Sequence, residues 1–190
     1  FDESTQSDQW DDFLAWRTAS DVGSLGWYSS RNGDTVAGGK DHPGVFEING
    51  SGAQTYFQLR GSSPSNNVLD PDSHFDMTFI IRLRDDTDPQ SLSELDYIRV
   101  GAVDDISSST DLTGVYFQLD PSASANWRAI TGNGVILQDS DTGVAGALDT
   151  WYRLRIRRAF VGGFEVAEFY INGTLVFTNL LNIPTASLMV

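Results

Sequence analysis

Four arginines in one short segment are the residues of this chain most able to do chemistry. They lie between Arg153 and Arg158, and they are four of the twelve basic residues in a protein of formal net charge -14. Alternation along an extended strand places Trp151, Arg153, Arg155 and Arg157 on one face, with apolar residues on the other. Guanidinium groups fork onto carboxylates and hydroxyls, and aromatic rings stack on sugar rings. The segment therefore predicts a ligand-binding face or a face of cross-strand ion pairs.

Two more predicted strands would extend this face if they belonged to the same sheet. The strand from Phe75 to Arg84 carries outward arginines, and the strand from Glu94 to Val103 aligns an arginine with Tyr97. The expected ligand is an acidic or neutral glycan, or an acidic neighbouring subunit. In the alternative, the arginines pair across strands with Asp96, Glu165 or Glu168, each pair contributing about 0.2 to 1 kcal/mol. The complete candidate ligand-binding set is Arg82, Arg84, Arg99, Trp127, Trp151, Arg153, Arg155 and Arg157.

Enzyme chemistry has one partial motif. Glu94 and Asp96 project from the same face of a predicted strand, as paired carboxylates in a glycosidase cleft must. This resembles half of the signature of laminarinase-type glycoside hydrolases, but Ile98 and Arg99 stand where that family has its second glutamate. No Gly-x-Ser-x-Gly motif occurs, so a serine hydrolase is not indicated either. We therefore expect no catalytic residue.

Metal binding lacks a specific motif. Aspartates cluster at 70–72, 85–88 and 139–141, yet none of these runs has the spacing and glycine of an EF-hand loop. Aspartate favours turns because it bonds its own backbone, so solvated turn aspartates are the expected interpretation. His42 and His74 are expected to be solvated loop residues. No cofactor is expected, although calcium remains open.

The composition excludes several classes of partner. The 26 acidic residues and the pI near 4.2 argue against nucleic acid and against an anionic membrane, since both require a basic surface. The longest apolar runs are too short to cross a bilayer, and the lack of cysteine excludes a disulfide framework. The chain begins at Phe1, without Met or a signal-type segment, which predicts a processed or excised piece of a longer protein.

Short runs rich in β-branched and aromatic residues alternate with turn residues, which predicts an all-β, two-sheet antiparallel sandwich. Asn172-Gly173, between two such runs, predicts a type I′ hairpin. We expect an N-terminal arm at 1–10 and a single domain at 11–190. The predicted strands are 45–49, 54–60, 75–84, 94–103, 113–119, 126–131, 135–138, 151–158, 164–171, 175–178 and 187–190.

Several strings share an order with a known module. They are Leu-Gly-Trp (25–27), His-Pro-Gly-Val (42–45), Phe-Asp-Met-Thr-Phe-Ile-Ile-Arg-Leu (75–83), Gly-Val-Tyr-Phe-Gln-Leu-Asp (114–120), Asn-Trp-Arg-Ala-Ile-Thr (126–131), Trp-Tyr-Arg-Leu-Arg-Ile-Arg-Arg (151–158) and Ile-Asn-Gly-Thr (171–174). Together they resemble a concanavalin A-like jelly-roll module of tailed-bacteriophage virion proteins, namely decoration proteins, head fibres and tail fibres.

This resemblance implies a jelly-roll sandwich without catalysis, located on a virion surface or outside the cell. The expected function is a structural surface module that also binds glycan for attachment. Its expected partners are other virion proteins, copies of itself, or a cell-surface glycan. The alternative is a secreted polysaccharide-active enzyme, or a carbohydrate-binding module, of the laminarinase-like class.

Overall fold

A computed structural model of the protein describes residues 26–29, 57–60, 74–83, 98–104 and 113–184. The chain divides into two compact units, Phe1–Ser62 and Ser63–Val190. Within the described ranges every regular element is a strand. A search of the same ranges finds no helix long and apolar enough to cross a membrane.

The described residues of the first unit form one short antiparallel pair. Strand β1 (Gly26–Ser29) pairs with β2 (Phe57–Arg60), so that Gly26 lies opposite Arg60. The predicted strand at 54–60 overlaps β2. Strand β1 was not predicted, because its four residues are too few to show an alternating pattern.

The second unit contains two antiparallel sheets of four strands each. The first sheet has the order β10-β9-β8-β3, formed by β3 (Phe75–Arg82), β8 (Trp151–Val161), β9 (Phe164–Ile171) and β10 (Thr174–Asn179). The second sheet has the order β4-β5-β6-β7, formed by β4 (Ile98–Val103), β5 (Thr113–Asp120), β6 (Ser124–Asn133) and β7 (Leu137–Ala145). The all-β prediction is therefore confirmed.

The two sheets pack through their inner faces as a β-sandwich. Phe117 of the second sheet meets Phe169 of the first edge to face, with ring centroids 5.2 Å apart. Trp127 of the second sheet packs on Tyr152 of the first with centroids 5.6 Å apart. Such aromatic pairs add about 0.5 to 1.5 kcal/mol to the stabilisation from burial alone. Apolar residues from eight strands, β3 to β10, complete this core.

The Asn172-Gly173 hairpin is confirmed. The two residues join β9 to β10 with φ angles of 52° and 84°, the two positive values that a type I′ turn requires. Asn172 also joins the turn to β8, the neighbour of β9 in the sheet. Its Oδ1 accepts a hydrogen bond from the backbone amide of Arg153, and its own backbone amide donates to the Arg153 carbonyl, each over 2.9 Å. The turn thus fixes the start of β8.

Some predicted boundaries differ from the structure. The strand predicted at 135–138 begins at Leu137 and continues to Ala145. Asp139 and Asp141 therefore lie within a strand, and their interpretation as turn aspartates is wrong. Asp139 accepts a hydrogen bond from Arg128, and Asp141 accepts one from the Asn126 side chain, both on the neighbouring strand β6. These partners stabilise the two aspartates within a strand. The predicted strands 45–49 and 187–190 lie outside the described residues, and the division into an arm and one domain stays a prediction.

The core makes a matched leucine comparison possible. Leu154 is fully buried, whereas Leu175 is 48% exposed near the β9–β10 turn. We expect Leu154→Ala to lower the free energy of unfolding by about 2 to 5 kcal/mol, since it removes apolar contacts and leaves a cavity. Leu175→Ala should change it by less than about 1 kcal/mol. Urea denaturation followed by tryptophan fluorescence measures both, and equal losses would contradict this placement of the core.

Candidate ligand-binding face

The outer face of the first sheet brings most of the predicted arginines together. Strands β3 and β8 are neighbours, and the described outward residues of three adjacent strands lie in rows. We call this surface the arginine face. Its members are Asp76, Thr78, Ile80 and Arg82 of β3; Trp151, Arg153, Arg155 and Arg157 of β8; and Glu168 and Tyr170 of β9.

Arg155 is the centre of this face. Its Nε donates to Oδ1 of Asp76 over 2.7 Å, and its Nη2 donates to the other carboxylate oxygen, so the pair is forked. On the other side, its guanidinium carbon lies 4.9 Å from the ring centroid of Tyr170. The Tyr170 hydroxyl in turn donates to Glu168 over 2.9 Å. A single arginine therefore links three strands.

These contacts shift the pKa values of Asp76, Arg155 and Tyr170. The hydrogen bond from Arg155 lowers the pKa of Asp76, against the raising effect of burial, and the positive charges of Arg155, Arg157 and Arg153 add to the lowering. The same bond raises the pKa of Arg155. Loss of solvent and the bond to Glu168 raise the pKa of Tyr170. These pKa shifts favour an ionised Asp76, a charged Arg155 and a neutral Tyr170 at neutral pH.

The flanking arginines are also partly paired. Arg157 lies 3.5 Å from Glu168, the cross-strand pair that the alternative interpretation predicted. Arg82 lies 3.2 Å from Asp149 and places its guanidinium carbon 5.7 Å from the ring centroid of Trp151. Glu165 instead binds Arg158, which is buried on the inner side of the sheet. The pairing interpretation therefore holds for part of the face.

Arg153 differs from its neighbours. It is exposed, and within the part of the chain that the structure describes it forms no ion pair. Among the described residues, four arginines stand here against the three carboxylates of Asp76, Asp149 and Glu168, which gives a formal charge of +1 for this set in a chain of -14. The surplus charge of this set is that of Arg153. Its guanidinium group could bind an incoming acidic group without breaking an ion pair within this set.

Two predicted site residues do not lie on the arginine face. Arg99 belongs to β4 in the second sheet, so the condition on which it would extend this face, a shared sheet with β8, is not met. Its guanidinium carbon lies 5.3 Å from the ring centroid of Tyr116. Trp127 occupies an inward position of β6 and is fully buried, so it cannot stack on a surface ligand. Arg84, together with Glu94 and Asp96, lies outside the described residues.

The outer face of the second sheet has a different character. Tyr116 is almost completely buried there, and burial raises its pKa, with opposite contributions from Arg99 and Asp139. Arg128 binds Asp139 over 2.7 Å and lies 3.8 Å from Asp141. Among the residues that the structure describes, no group of three or more acidic or histidine side chains could hold a metal ion. The aspartates of β7 thus take part in ion pairs with Arg128.

Sequence reasoning missed three contributors to the arginine face: Asp76, Asp149 and Tyr170. Asp76 and Tyr170 occupy outward positions of strands that were predicted correctly. The alternation of side chains along those strands would have placed both residues on the same face as the arginines. Asp149 lies in a turn with a φ of 55°, and no strand pattern indicates it. His74 is exposed just before β3, with its ring 6.4 Å from that of Phe160.

The fold and the site define a β-sandwich domain with one arginine-rich sheet face. The model of a family described as SO2946-like, C-terminal domain, matches residues 41–189, and the chain belongs to this family. A search of curated proteins gave no significant match. A search of solved structures gave none either.

The lowered pKa of Asp76 predicts a pH effect on stability. A carboxyl group whose pKa is lower in the folded state than its ordinary value of 3.8 stabilises the fold above that value, and this contribution is lost as the pH falls through the folded pKa. We expect Asp76→Asn to lower stability at pH 7 by a few tenths to about 1 kcal/mol, because a solvent-exposed pair is screened. Urea titrations at neutral and acidic pH measure this.

In strongly acidic solution the difference between wild type and Asp76→Asn should shrink, because the wild-type carboxyl group is then protonated. Thr78→Asn, on the same face of β3, serves as the control and should leave the pH dependence of stability unchanged. A constant difference between wild type and Asp76→Asn at all pH values would show that the Arg155 pair does not set this pKa.

Proposed function

We propose that this chain is a non-enzymatic surface module of a virion, with a concanavalin A-like jelly-roll topology, which serves a structural role and binds glycan through its arginine face. The observation that carries this proposal is Arg153: an exposed guanidinium group that forms no ion pair in the described ranges, on the outer face of a sheet. Such a surface suits an extended, polar, acidic ligand.

The strand connections support the jelly-roll topology. The chain passes from the first sheet to the second between β3 and β4, and it returns between β7 and β8. On its return, β8 inserts beside β3 in antiparallel orientation, although the strands are far apart in sequence. Long connections that place distant strands side by side are characteristic of Greek-key and jelly-roll folds.

The chemistry of the face supports a glycan as ligand. The half-buried rings of Tyr170 and Trp151 lie beside the arginine row; aromatic rings can stack on sugar rings, and guanidinium groups bind carboxylates and hydroxyls. Thr78 of β3, which lies opposite Arg155, adds a hydroxyl group to this face. A face with surplus positive charge favours acidic polymers over neutral ones, although the chain as a whole has a net charge of -14.

The virion location rests on the resemblance of the strand sequences to bacteriophage virion modules. Strings such as Trp-Tyr-Arg-Leu-Arg-Ile-Arg-Arg (151–158) and Ile-Asn-Gly-Thr (171–174) belong to strands β8 to β10, which form most of the proposed binding sheet. An extracellular or particle-surface position would expose that sheet to host glycans. The partners would then be other virion proteins or further copies of the chain.

Binding to immobilised acidic and neutral polysaccharides tests the glycan proposal. We expect the protein to be retained on acidic polymers, with retention falling as salt rises, because the contact is charge-assisted. Arg153→Ala should weaken binding at least about tenfold, the effect of one lost charge-assisted hydrogen bond of roughly 1.5 to 3 kcal/mol. Arg128→Ala removes the same charge from the other sheet and should leave retention unchanged.

The chain length of the polymer after incubation distinguishes binding from cleavage. Polymers of unchanged length with retained protein would support the proposal. Shortened polymers would contradict it and favour a polysaccharide-active enzyme of the laminarinase-like class, with Glu94 and Asp96 as the first residues to replace. Intact polymers without retention would refute glycan binding and leave the structural role alone.

A further inference from the structure

One end of the sandwich carries a concentration of exposed apolar side chains. Two hairpins, β6–β7 and β8–β9, turn at this end, and the segment that follows β10 passes across it. Their exposed fractions range from 57% for Ile136 to 86% for Val135. We call this surface the apolar end, and it consists of Val135, Ile136, Phe160, Phe164, Leu180 and Leu181.

Hydrogen bonds and strand register place these three segments together. Thr131, near the end of β6, donates to the Leu181 carbonyl over 2.8 Å and accepts from the Asn179 amide group over 2.6 Å. These bonds tie the segment after β10 to the β6–β7 hairpin. Asn179 also lies opposite Ala167, which is three residues from Phe164 and therefore about 10 Å along β9. The β8–β9 hairpin thus reaches the same end of the sandwich.

The apolar end is large for a free surface. With roughly 150 Å² for each large apolar side chain, the six exposed fractions leave on the order of 600 Å². This value lies at the upper limit of about 300 to 600 Å² for the largest apolar patch of a typical monomer. The exposed parts of Leu137 and Val161 enlarge it further toward the roughly 800 Å² that each partner contributes to a stable complex.

The charge distribution indicates what covers this surface. The segments 133–137, 160–164 and 180–184 contain no charged residue, in a chain with 26 acidic and 12 basic residues. Two copies of net charge -14 repel each other, and contact through these uncharged segments adds little local repulsion. Interfaces between identical subunits are also more apolar than those of transient complexes. An acidic chain that associates with itself would use such an end.

The surface is also able to complement itself. One half is aromatic, from Phe160 and Phe164, and the other half is aliphatic, from Val135, Leu180 and Leu181. A two-fold axis between copies would place the aromatic half of each against the aliphatic half of the other, the reciprocal arrangement of a closed dimer. We propose that the apolar end is a dimer interface that binds a second copy of this chain.

Sedimentation velocity over a range of micromolar concentrations tests this proposal. We expect the wild-type chain to sediment as a dimer that dissociates on dilution. The double variant Phe164→Ser with Leu180→Ser should raise the dissociation constant at least about tenfold, because each residue lies in the central contact. The matched control is Ile80→Ser with Leu175→Ser, which replaces two exposed apolar residues away from the apolar end and should leave dimerisation unchanged.

Circular dichroism and thermal unfolding of dilute samples must show that both double variants fold, which is expected because all four residues are at least 48% exposed. A monomeric wild-type chain at every concentration would overturn the proposal. Binding of that monomer to phosphatidylcholine vesicles would assign the surface to a lipid membrane instead. The dimerisation result is independent of glycan binding, because Phe164 and Leu180 lie outside the arginine face.

Discussion

The apolar contact between the two sheets is the constraint on which the other features of the second unit depend. Two edge-to-face ring contacts join the inner faces, Phe117 with Phe169 and Trp127 with Tyr152. Because side chains alternate along a strand, burying one set of residues fixes which residues face solvent. A slip of one residue in the pairing of a strand would turn all of its side chains to the opposite face. The arginine face exists because Leu154 and Ile156 are held in the core.

The arginine face brings several positive charges close together, and its neighbouring side chains reduce the repulsion between them. Adjacent guanidinium groups repel one another, and the sheet separates them with Asp76 and Glu168 on the neighbouring strands and with the ring of Tyr170. Asp76 and Glu168 pair with Arg155 and Arg157, and Asp149 pairs with Arg82, so that among the described residues Arg153 alone of this face forms no ion pair. Fixed neighbours of this kind reduce the ordering that a ligand would otherwise have to impose on the side chains. The face thus combines a set of preformed ion pairs with one arginine that has no ion-pair partner among the described residues.

Local sequence pattern predicted the strands of this unit and failed where partners are distant. Alternation and the Asn172-Gly173 turn located β8, β9 and β10 to within a few residues. The pattern could not tell that β4 lies in the other sheet, because the choice of neighbouring strand depends on long connections, and so Arg99 was placed wrongly. Trp127 was misplaced for a different reason: Ile130, on the opposite face of the same strand, is buried as well, so β6 lacks a clear polar side.

The strand order also has a kinetic meaning. Strands β8, β9 and β10 follow one another through two-residue turns at Gly162-Gly163 and Asn172-Gly173, so they can pair through contacts that are close in sequence. Strand β3 joins them from far away, and the Asp76–Arg155 contact spans 79 residues. Closing so long a loop is slower than forming a hairpin, so we expect this contact to form late during folding. The arginine face would then be a property of the finished molecule and absent from its early intermediates.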